Sequence, residues 1–360
     1  MPSGMKQQKD TYALMAVTAD KSTSTSTSPR KPTAFSGIQP SGNLHLGNYL
    51  GAIRNWVNQQ DEYDNIFSIV DLHALSLPTT RDGMVANIRN LANTLLASGI
   101  DPEKSILFVQ SDVREHAELC WILSSVTQMG ELRRMTQYKD KSGDQDEGVS
   151  AALFMYPVLM IGDIILYDAD KVPVGDDQKQ HLELTRDIAY RFNQRYGETF
   201  VVPEPDIKPT GARIMGLDDP TKKMSKSSPN QNSYIALSDT ADVIRKKIRR
   251  AVTDSGSEIV SGPDKPALTN LMSIFALLTD DTLDGVSEKF IGKGYGAFKQ
   301  ELAEVVVSAL EPIQQRLLEL EADPGIVDDI LTRGAAEARK IASAKMALVH
   351  ERLGIGGERL

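Results

Sequence analysis

The sequence predicts an α/β protein with a doubly wound parallel sheet and an appended C-terminal α-helical domain. From Phe35 onward, short apolar runs alternate with segments of helical periodicity, which is typical of a parallel sheet with helices on both faces. Beyond about residue 236 the apolar spacing becomes almost wholly helical. A chain of 360 residues is long enough to bury a substantial core in such a Rossmann-like, two-part architecture.

Individual strands and helices follow from the length and spacing of the apolar runs. We predict buried strands at IFSIV (66–70) and ILFV (106–109), and a shorter one at VPV (172–174). Residues 84–99 and 178–192 place apolar side chains on one face of a helix. Because ligands of open parallel sheets bind at the carboxyl ends of the strands, we expect the functional site in the loops that follow them.

The first 31 residues are predicted to form a disordered tail, since they carry the repeat STSTSTSP and almost no apolar periodicity. Asp10 and Asp20 argue against an organelle transit peptide, and a secretory apolar core is missing. No apolar run approaches the roughly 20 residues that a membrane-spanning helix needs. We therefore expect a soluble, cytoplasmic protein, with the sheet domain over residues 32–235 and the helical domain over residues 236–360.

Composition limits the chemistry and the partners. Cys120 is the only cysteine, which excludes an intramolecular disulfide and a cysteine-cluster metal site. A net charge of −9 argues mildly against a nucleic-acid partner unless Lys and Arg cluster locally. Two clusters exist, RKKIRR (245–250) and a second made of Arg133, Arg134, Lys139 and Lys141. A run such as RKKIRR is also typical of a solvated helix face, and its cations cannot all lie on one side of a helix.

The segment PSGNLHLGNYLG (40–51) combines a turn with the entrance of a helix. Pro40, Ser41 and Gly42 signal the turn, and helical spacing begins near Gly47. A glycine there lets a base or ribose approach the backbone, while the free N–H groups of a helix entrance favour an anion. The HLGN motif (45–48) could then donate to phosphate oxygens from its His and Asn side chains. The alternative is a tight turn with a surface histidine.

The segment KKMSKSSPN (222–230) is rich in cationic and hydroxyl donors and has no apolar periodicity. Such a polar loop can close over a triphosphate and supply positive charge where negative charge develops. Taken alone, a Lys/Ser loop is equally typical of solvated surface. Together with HLGN across an α/β pattern, it suggests an ATP site assembled from two distant parts of the chain.

These paired segments resemble the signatures HIGH and KMSKS of class I aminoacyl-tRNA synthetases, and KMSKS (223–227) is present letter for letter. The resemblance covers roughly residues 33–353 and points to the bacterial tryptophanyl-tRNA synthetases. It is carried by FSGIQPSGNLHLGNYLGA (35–52), IVDLHAL (69–75), GELRRMTQYKDK (130–141), YPVLMIGDIILY (156–167), VPVGDDQKQHLELTRDIAYRFN (172–193) and GARIM (211–215). Two departures are Asn48, where the general class has His, and Ser228, where we expect Asp.

The resemblance implies that tryptophan attacks the α-phosphorus of ATP to give tryptophanyl-adenylate, and that the terminal ribose of tRNA(Trp) then takes the tryptophanyl group. Neither step needs a protein nucleophile, so catalysis should be positioning and stabilisation of phosphate charge. By resemblance the catalytic residues are Asn48, Lys141, Lys223, Ser225 and Lys226. The implied ATP-binding residues are Gln39, Pro40, Ser41, Gly47, Asn48, Gly175, Asp176, Asp177, Ile214, Lys223, Met224, Ser225, Lys226 and Ser227. Mg²⁺ is implied with ATP, bound largely through phosphates and water.

Asp163 is the residue we expect to recognise the amino-acid side chain. It interrupts the apolar stretch VLMIGDIIL (158–166), where an unpaired charge is costly, so it should have a donor partner. A carboxylate aimed into an apolar pocket could accept the indole N–H of tryptophan, although a phenol could satisfy it equally. The alternative is a capping or ion-paired Asp. By resemblance Tyr156, Met160 and Gln178 hold the ammonium end and Phe35 lines the ring pocket; His73 is as readily structural as functional.

Three other interpretations stay open. Tyrosyl-tRNA synthetases share the fold and chemistry, although the residues of the segments around HLGN and VPVGDDQ favour tryptophan. A small-molecule nucleotidylyltransferase can use a similar turn but needs neither KMSKS nor a helical domain. A non-catalytic RNA-binding relative should have lost ATP-site lysines that are present here. The resemblance further implies a homodimer in which tRNA(Trp) passes from one subunit's helical domain to the other's active site.

Overall fold

The computed structural model describes residues 30–136, 150–173, 175, 178–206 and 213–356. Residues from Lys31 onward form one compact unit. Predictions for the tail, Lys139, Lys141, Asp176 and Asp177 fall outside the described residues. Within those ranges, no helix is both long enough and apolar enough to cross a membrane.

Five parallel strands form the sheet, in the order β3-β2-β1-β4-β5. The strands are β1 (Thr33–Ile38), β2 (Asp64–Ile69), β3 (Ser105–Val109), β4 (Lys171–Pro173) and β5 (Glu204–Asp206). The three predicted strands are confirmed, with each one beginning one or two residues earlier than predicted; Val174, the predicted end of the third, lies outside the described residues. The short edge strand β5 was not predicted, because prolines at 203 and 205 mask a strand in the sequence pattern.

Helices flank the sheet, and the C-terminal part of the described chain is mostly helical, as predicted. They are α1 (Leu46–Asn48), a π-helical turn (Tyr49–Ile53), α2 (Arg54–Asn58), α3 (Asp71–Ala74), α4 (Arg81–Ala97), a 3₁₀ turn (Gln110–Asp112), α5 (Glu115–Ser124), α6 (Met129–Arg133), α7 (Ala151–Ile165), α8 (Lys179–Tyr196), a second 3₁₀ turn (Gln231–Ser233), α9 (Ala241–Arg250), α10 (Pro266–Thr279), α11 (Leu283–Lys289), α12 (Tyr295–Ala322) and α13 (Pro324–Leu353).

Two buried apolar clusters form the core, and both include residues from the C-terminal helices. One joins Leu46 and Ile53 near the HLGN motif to Phe275 and Leu302. The other includes Phe108 of β3, which packs with residues of α7, α8 and α13. The domain boundary expected after residue 235 stays a prediction, since apolar packing continues across it.

Helix α13 runs along β3 in extensive contact with it. A glycine makes this possible, because a methyl group added to Gly334 would come within 2.8 Å of the carbonyl carbon of Leu107. Farther along the helix, Arg339 donates to the backbone oxygen of Asp112, and Ser343 donates to Glu115 at 2.5 Å. Helix α13 therefore lies directly behind β3 and the 3₁₀ turn that follows it.

Candidate active site

A cavity of about 390 Å³ lies at the carboxyl ends of β1 and β4. These two strands are neighbours where the strand order reverses, which is where parallel α/β sheets bind ligands. The volume is within the range of small-molecule sites. The lining residues are Phe35, Ser36, Gly37, Ile38, Gln39, Ala52, Trp56, Val70, His73, Ser76, Tyr156, Met160, Asp163, Ile164, Val172, Pro173, Gly175 and Gln178.

All five residues predicted to hold the amino acid line this one cavity. Asp163, Tyr156 and Met160 project from α7, since spacings of three and four residues share a helix face. Phe35 comes from β1 and is almost fully buried. Gln178 stands at the entrance of α8. Sequence positions up to 143 apart thus meet at the end of the sheet, and Gln39 and Gly175 from the predicted ATP site lie beside them.

The Asp163 carboxylate lies at the inner wall of the cavity with 1% of its surface exposed. One oxygen, Oδ1, accepts from Gln110 Nε2 and from His116 Nδ1, both at 2.6 Å. The other, Oδ2, accepts from His73 Nε2 at 2.7 Å. Burial by itself raises the pKa of this carboxyl, but the two histidines bring it below its ordinary value through charge and hydrogen bonding. Asp163 is therefore an anion held by three donors.

Aromatic and hydroxyl groups support this anion from behind. The far nitrogen of His116, Nε2, lies 2.7 Å from the hydroxyl of Tyr167. The Tyr167 ring stacks on Phe35 at 5.7 Å between ring centroids, and burial raises the pKa of its hydroxyl. The Tyr156 hydroxyl, from the same helix as Asp163, lies 2.6 Å from Nε2 of His181. Polar contacts from behind thus support both Asp163 and Tyr156, two residues of the cavity wall.

The two predicted ATP segments meet in space. The start of HLGN pairs with residues after the lysine-rich loop, where the Leu46 N–H donates to the Ile235 carbonyl at 2.8 Å. The loop itself is anchored to GARIM, since the Met224 N–H donates to the Ile214 carbonyl at 2.9 Å. A Cβ on Gly47 would make an ordinary contact with Cβ of Met224 at 3.4 Å, so the two segments lie within van der Waals distance at this point. Both Ile214 and Met224 are buried.

The lysines of KMSKS differ in their surroundings. Lys226 is partly buried, and its ammonium nitrogen lies 3.0 Å from the position that a Cβ on Gly42 would take. Gly42 has a φ of +93°, which only glycine adopts readily, so the turn that receives this lysine depends on it. Burial lowers the pKa of Lys226. Lys223 is exposed, and Ser225 Oγ accepts from the Ser227 N–H at 3.2 Å.

His45 stands between these lysines and the helix entrance. Burial lowers its pKa to about 4, with further contributions from the charges of Lys223 and Lys226. Its imidazole is therefore neutral at pH 7, and its Nδ1 is buried with no hydrogen-bond partner within the described part of the chain. Asn48 turns its carboxamide oxygen back to the His45 N–H at 3.1 Å, which leaves its amide N–H groups as donors for a ligand. Pro40 is buried and Ser41 exposed in the preceding turn.

Several groups that matter to the cavity were not found from the sequence. Gln110 and His116 hold Asp163, and Tyr167 contacts His116, yet Gln110 follows an apolar strand without any motif and His116 lies in an ordinary helical pattern. The available signal was Asp163 itself, since a buried carboxylate requires donors. Cys120 is half-buried, and its pKa is raised to about 11 by burial and by the charge of Asp163.

The basic run of α9 divides into paired and exposed cations. Arg245 makes a bidentate pair with Glu304 at 2.8 and 2.9 Å. Lys247 is buried, bonds Asp239 at 2.6 Å and lies over the Tyr234 ring. The exposed members, apart from the paired Arg245, are Lys246, Arg249 and Arg250. As expected, the five cations do not share one face.

A parallel sheet of this strand order, with a cavity at its switch point and lysines beside a helix entrance, defines a nucleotide-binding α/β protein. Residues 27–311 match the model of the tRNA synthetases class I (W and Y). The chain belongs to that family, which confirms the resemblance found in its sequence.

Named relatives narrow the comparison. The chain is 52% identical over 325 residues to a tryptophan–tRNA ligase of Wolinella succinogenes, covering 90% of this chain and 99% of that protein. A crystal structure of tryptophanyl-tRNA synthetase from Mycoplasma pneumoniae matches with a TM-score of 0.82 and 37% identity, covering 91% and 98% of the two chains. Another, from Campylobacter jejuni with ADP and tryptophan, matches with a TM-score of 0.77 and 38% identity over 90% and 100%.

Proposed function

We propose that the protein activates L-tryptophan with ATP, giving tryptophanyl-adenylate and pyrophosphate, and transfers the tryptophanyl group to tRNA(Trp). The observation that carries the proposal is the buried, ionised Asp163 at the wall of an otherwise largely apolar cavity. An anion in that position accepts the indole N–H, whereas a plain hydrocarbon ring has no donor to offer and would leave the anion unpaired. The relatives named tryptophan–tRNA ligase support the same choice.

The amino-acid site and the ATP site have separate roles. Phe35 and Asp163 receive the indole, while Tyr156, Met160 and Gln178 hold the ammonium end. Asn48, Lys223, Ser225 and Lys226 face the triphosphate, with Lys141 outside the described residues. The partly buried Lys226 supplies positive charge as the α-phosphorus is attacked. No covalent intermediate with the protein is needed, because the substrate carboxylate is the nucleophile.

Mg²⁺ enters this proposal as the partner of ATP. Among the described residues there is no group of three or more His, Cys, Asp and Glu that could hold a metal ion. The donors present near the lysine-rich loop are cations, hydroxyls and amides, which suit phosphate oxygens. The ion is therefore proposed to be held by the phosphates and water, where it would offset their charge.

We further propose a cytoplasmic homodimer that binds tRNA(Trp) through its helical part, residues 236–360. The exposed cations of α9 are candidates for phosphate contacts, whereas Arg245 and Lys247 are occupied by ion pairs within the chain. A tRNA partner is compatible with the acidic chain, because affinity for phosphates depends on local clusters.

Amino-acid-dependent exchange of pyrophosphate into ATP tests the activation step. Wild type should exchange with tryptophan and not with tyrosine. Asp163→Ala should reduce kcat/KM for tryptophan on the order of 10²-fold, since a hydrogen bond to a charged group is lost. Asp219→Ala, which removes a half-exposed carboxylate that precedes the polar loop and does not line the cavity, is the matched control for amino-acid selection. Exchange with tyrosine instead would assign the sister activity, and exchange with neither would reject the proposal.

A further inference from the structure

The hydrogen bonds of Asp163 leave one acceptor direction unused. An ionised carboxylate offers about four acceptor positions, two on each oxygen. Both positions of Oδ1 are taken, by Gln110 Nε2 and His116 Nδ1. One position of Oδ2 is taken by His73 Nε2. Because an ionised carboxylate can only accept, each of these nitrogens is the donor. The remaining position is on Oδ2, the oxygen shared with the cavity-lining His73.

The two donors to Oδ1 are themselves fixed from behind. Gln110 is fully buried, and its Oε1 accepts from the Leu72 N–H at 3.1 Å, which settles the orientation of its amide. His116 is also fully buried, and its Nε2 lies 2.7 Å from the Tyr167 hydroxyl. In the neutral tautomer with the proton on Nδ1, which donates to Asp163, Nε2 is the acceptor for that hydroxyl. Neither residue lines the cavity, so neither can touch a ligand there.

We propose that Gln110 and His116 are positioning residues for substrate selection: they hold the Asp163 carboxylate ionised and oriented so that its single open position demands an N–H donor from the bound ring. The inference rests on the proposed function, in which that ring is indole. Without the two donors, a buried carboxyl can take up a proton or turn about its side-chain bond. A protonated carboxyl would tolerate a ring that has no N–H group.

The readout is the ratio of kcat/KM for tryptophan to that for 3-(3-benzothienyl)alanine, in which sulfur replaces the indole N–H in a ring of nearly the same shape. Two substitutions of His116 form a matched pair. His116→Asn places an amide N–H where Nδ1 was and so keeps the donor to Asp163. His116→Gln places its amide farther out, towards Tyr167, and so removes the donor to Asp163. Gln110→Met is the corresponding change at the second donor.

Asn193→Leu is the control for general loss of stability. Asn193 is a buried polar residue outside the cavity. Its side-chain oxygen accepts from the backbone N–H groups of Thr199 and Phe200 at 3.0 and 2.9 Å. Its loss should lower the melting temperature without altering substrate selection. All variants are measured as full-length protein, with KM for ATP and the melting temperature recorded alongside the ratio.

We expect the ratio to fall about 10-fold or more in His116→Gln and Gln110→Met, mainly through tryptophan, with KM for ATP within about 2-fold of wild type. It should stay within about 3-fold in His116→Asn and Asn193→Leu. Equal loss in His116→Asn and His116→Gln, or an unchanged ratio in His116→Gln and Gln110→Met, overturns the inference. If wild type shows no tryptophan-dependent exchange, the proposed function itself has failed. The His116 pair keeps the test decisive even where Gln110→Met does not fold, since both members are polar and of similar size.

Discussion

Acidification should destabilise this protein through His45, and the size of the effect follows from its surroundings. Burial, with the charges of Lys223 and Lys226, lowers the pKa of His45 from 6.5 to about 4. Above pH 6.5 the histidine is neutral in the folded and the unfolded chain, so it contributes nothing to the pH dependence. As the pH falls below 6.5, the unfolded chain takes up a proton that the folded chain refuses. The free energy of unfolding therefore decreases, by about 2 kcal/mol at pH 5 and by about 3 kcal/mol below pH 4.

The assay compares urea unfolding of wild type and His45→Gln at pH 7.5 and pH 5. Carboxylates titrate in both proteins, so the His45 contribution is the difference between their two pH dependences. NMR titration of the His45 ring measures the pKa directly. Because burial is the larger cause, Lys226→Met should raise this pKa only part of the way towards 6.5. A His45 pKa of 6.5 or above, or identical pH dependence in wild type and His45→Gln, would refute the reasoning.

Two further predictions concern packing and phosphate chemistry. Gly334→Ala should lower the free energy of unfolding, measured in urea, by about 1–3 kcal/mol, because the new methyl group meets the Leu107 backbone. Gly296→Ala, with open space around it, should be neutral or slightly stabilising. Equal stability of the two variants would contradict this. Lys226→Met should reduce the rate of pyrophosphate exchange at saturating ATP on the order of 10²- to 10³-fold. Lys222→Met is the control, since Lys222 is exposed and paired with Asp219 at 3.1 Å, and a similar loss there would remove Lys226 from its proposed role.

The sequence was informative where a feature depends on neighbours along the chain. Strands β2 and β3 and the helices around them have clear periodicity, and the alternation of strand and helix predicts the parallel sheet. Strand β5 was missed because three residues that include Pro205 carry no such pattern. Strand β4 was predicted from the short apolar run VPV, and it begins one residue earlier than predicted.

The candidate site divides in the same way. HLGN and KMSKS were found as motifs, and Asp163 as a charge in an apolar run. Its partners were not found, because Gln110 and His116 come from a 3₁₀ turn and a helix about 50 residues earlier, and no local pattern encodes a contact over that distance. The requirement for a donor could be predicted, whereas its identity depends on the tertiary structure.

The placement of α13 has a consequence for the order of synthesis. Strand β3 lies at an edge of the described sheet, and its packing partner consists of residues 324–353, more than 200 positions later in the chain. While a ribosome is still making the intervening helices, β3 and its residue Phe108 have no cover from α13. Exposed sheet edges invite pairing with other chains. We therefore expect nascent chains to need protection from aggregation until α13 has emerged, and substitutions in α13 to reduce the yield of native protein more than equally destabilising ones in α4.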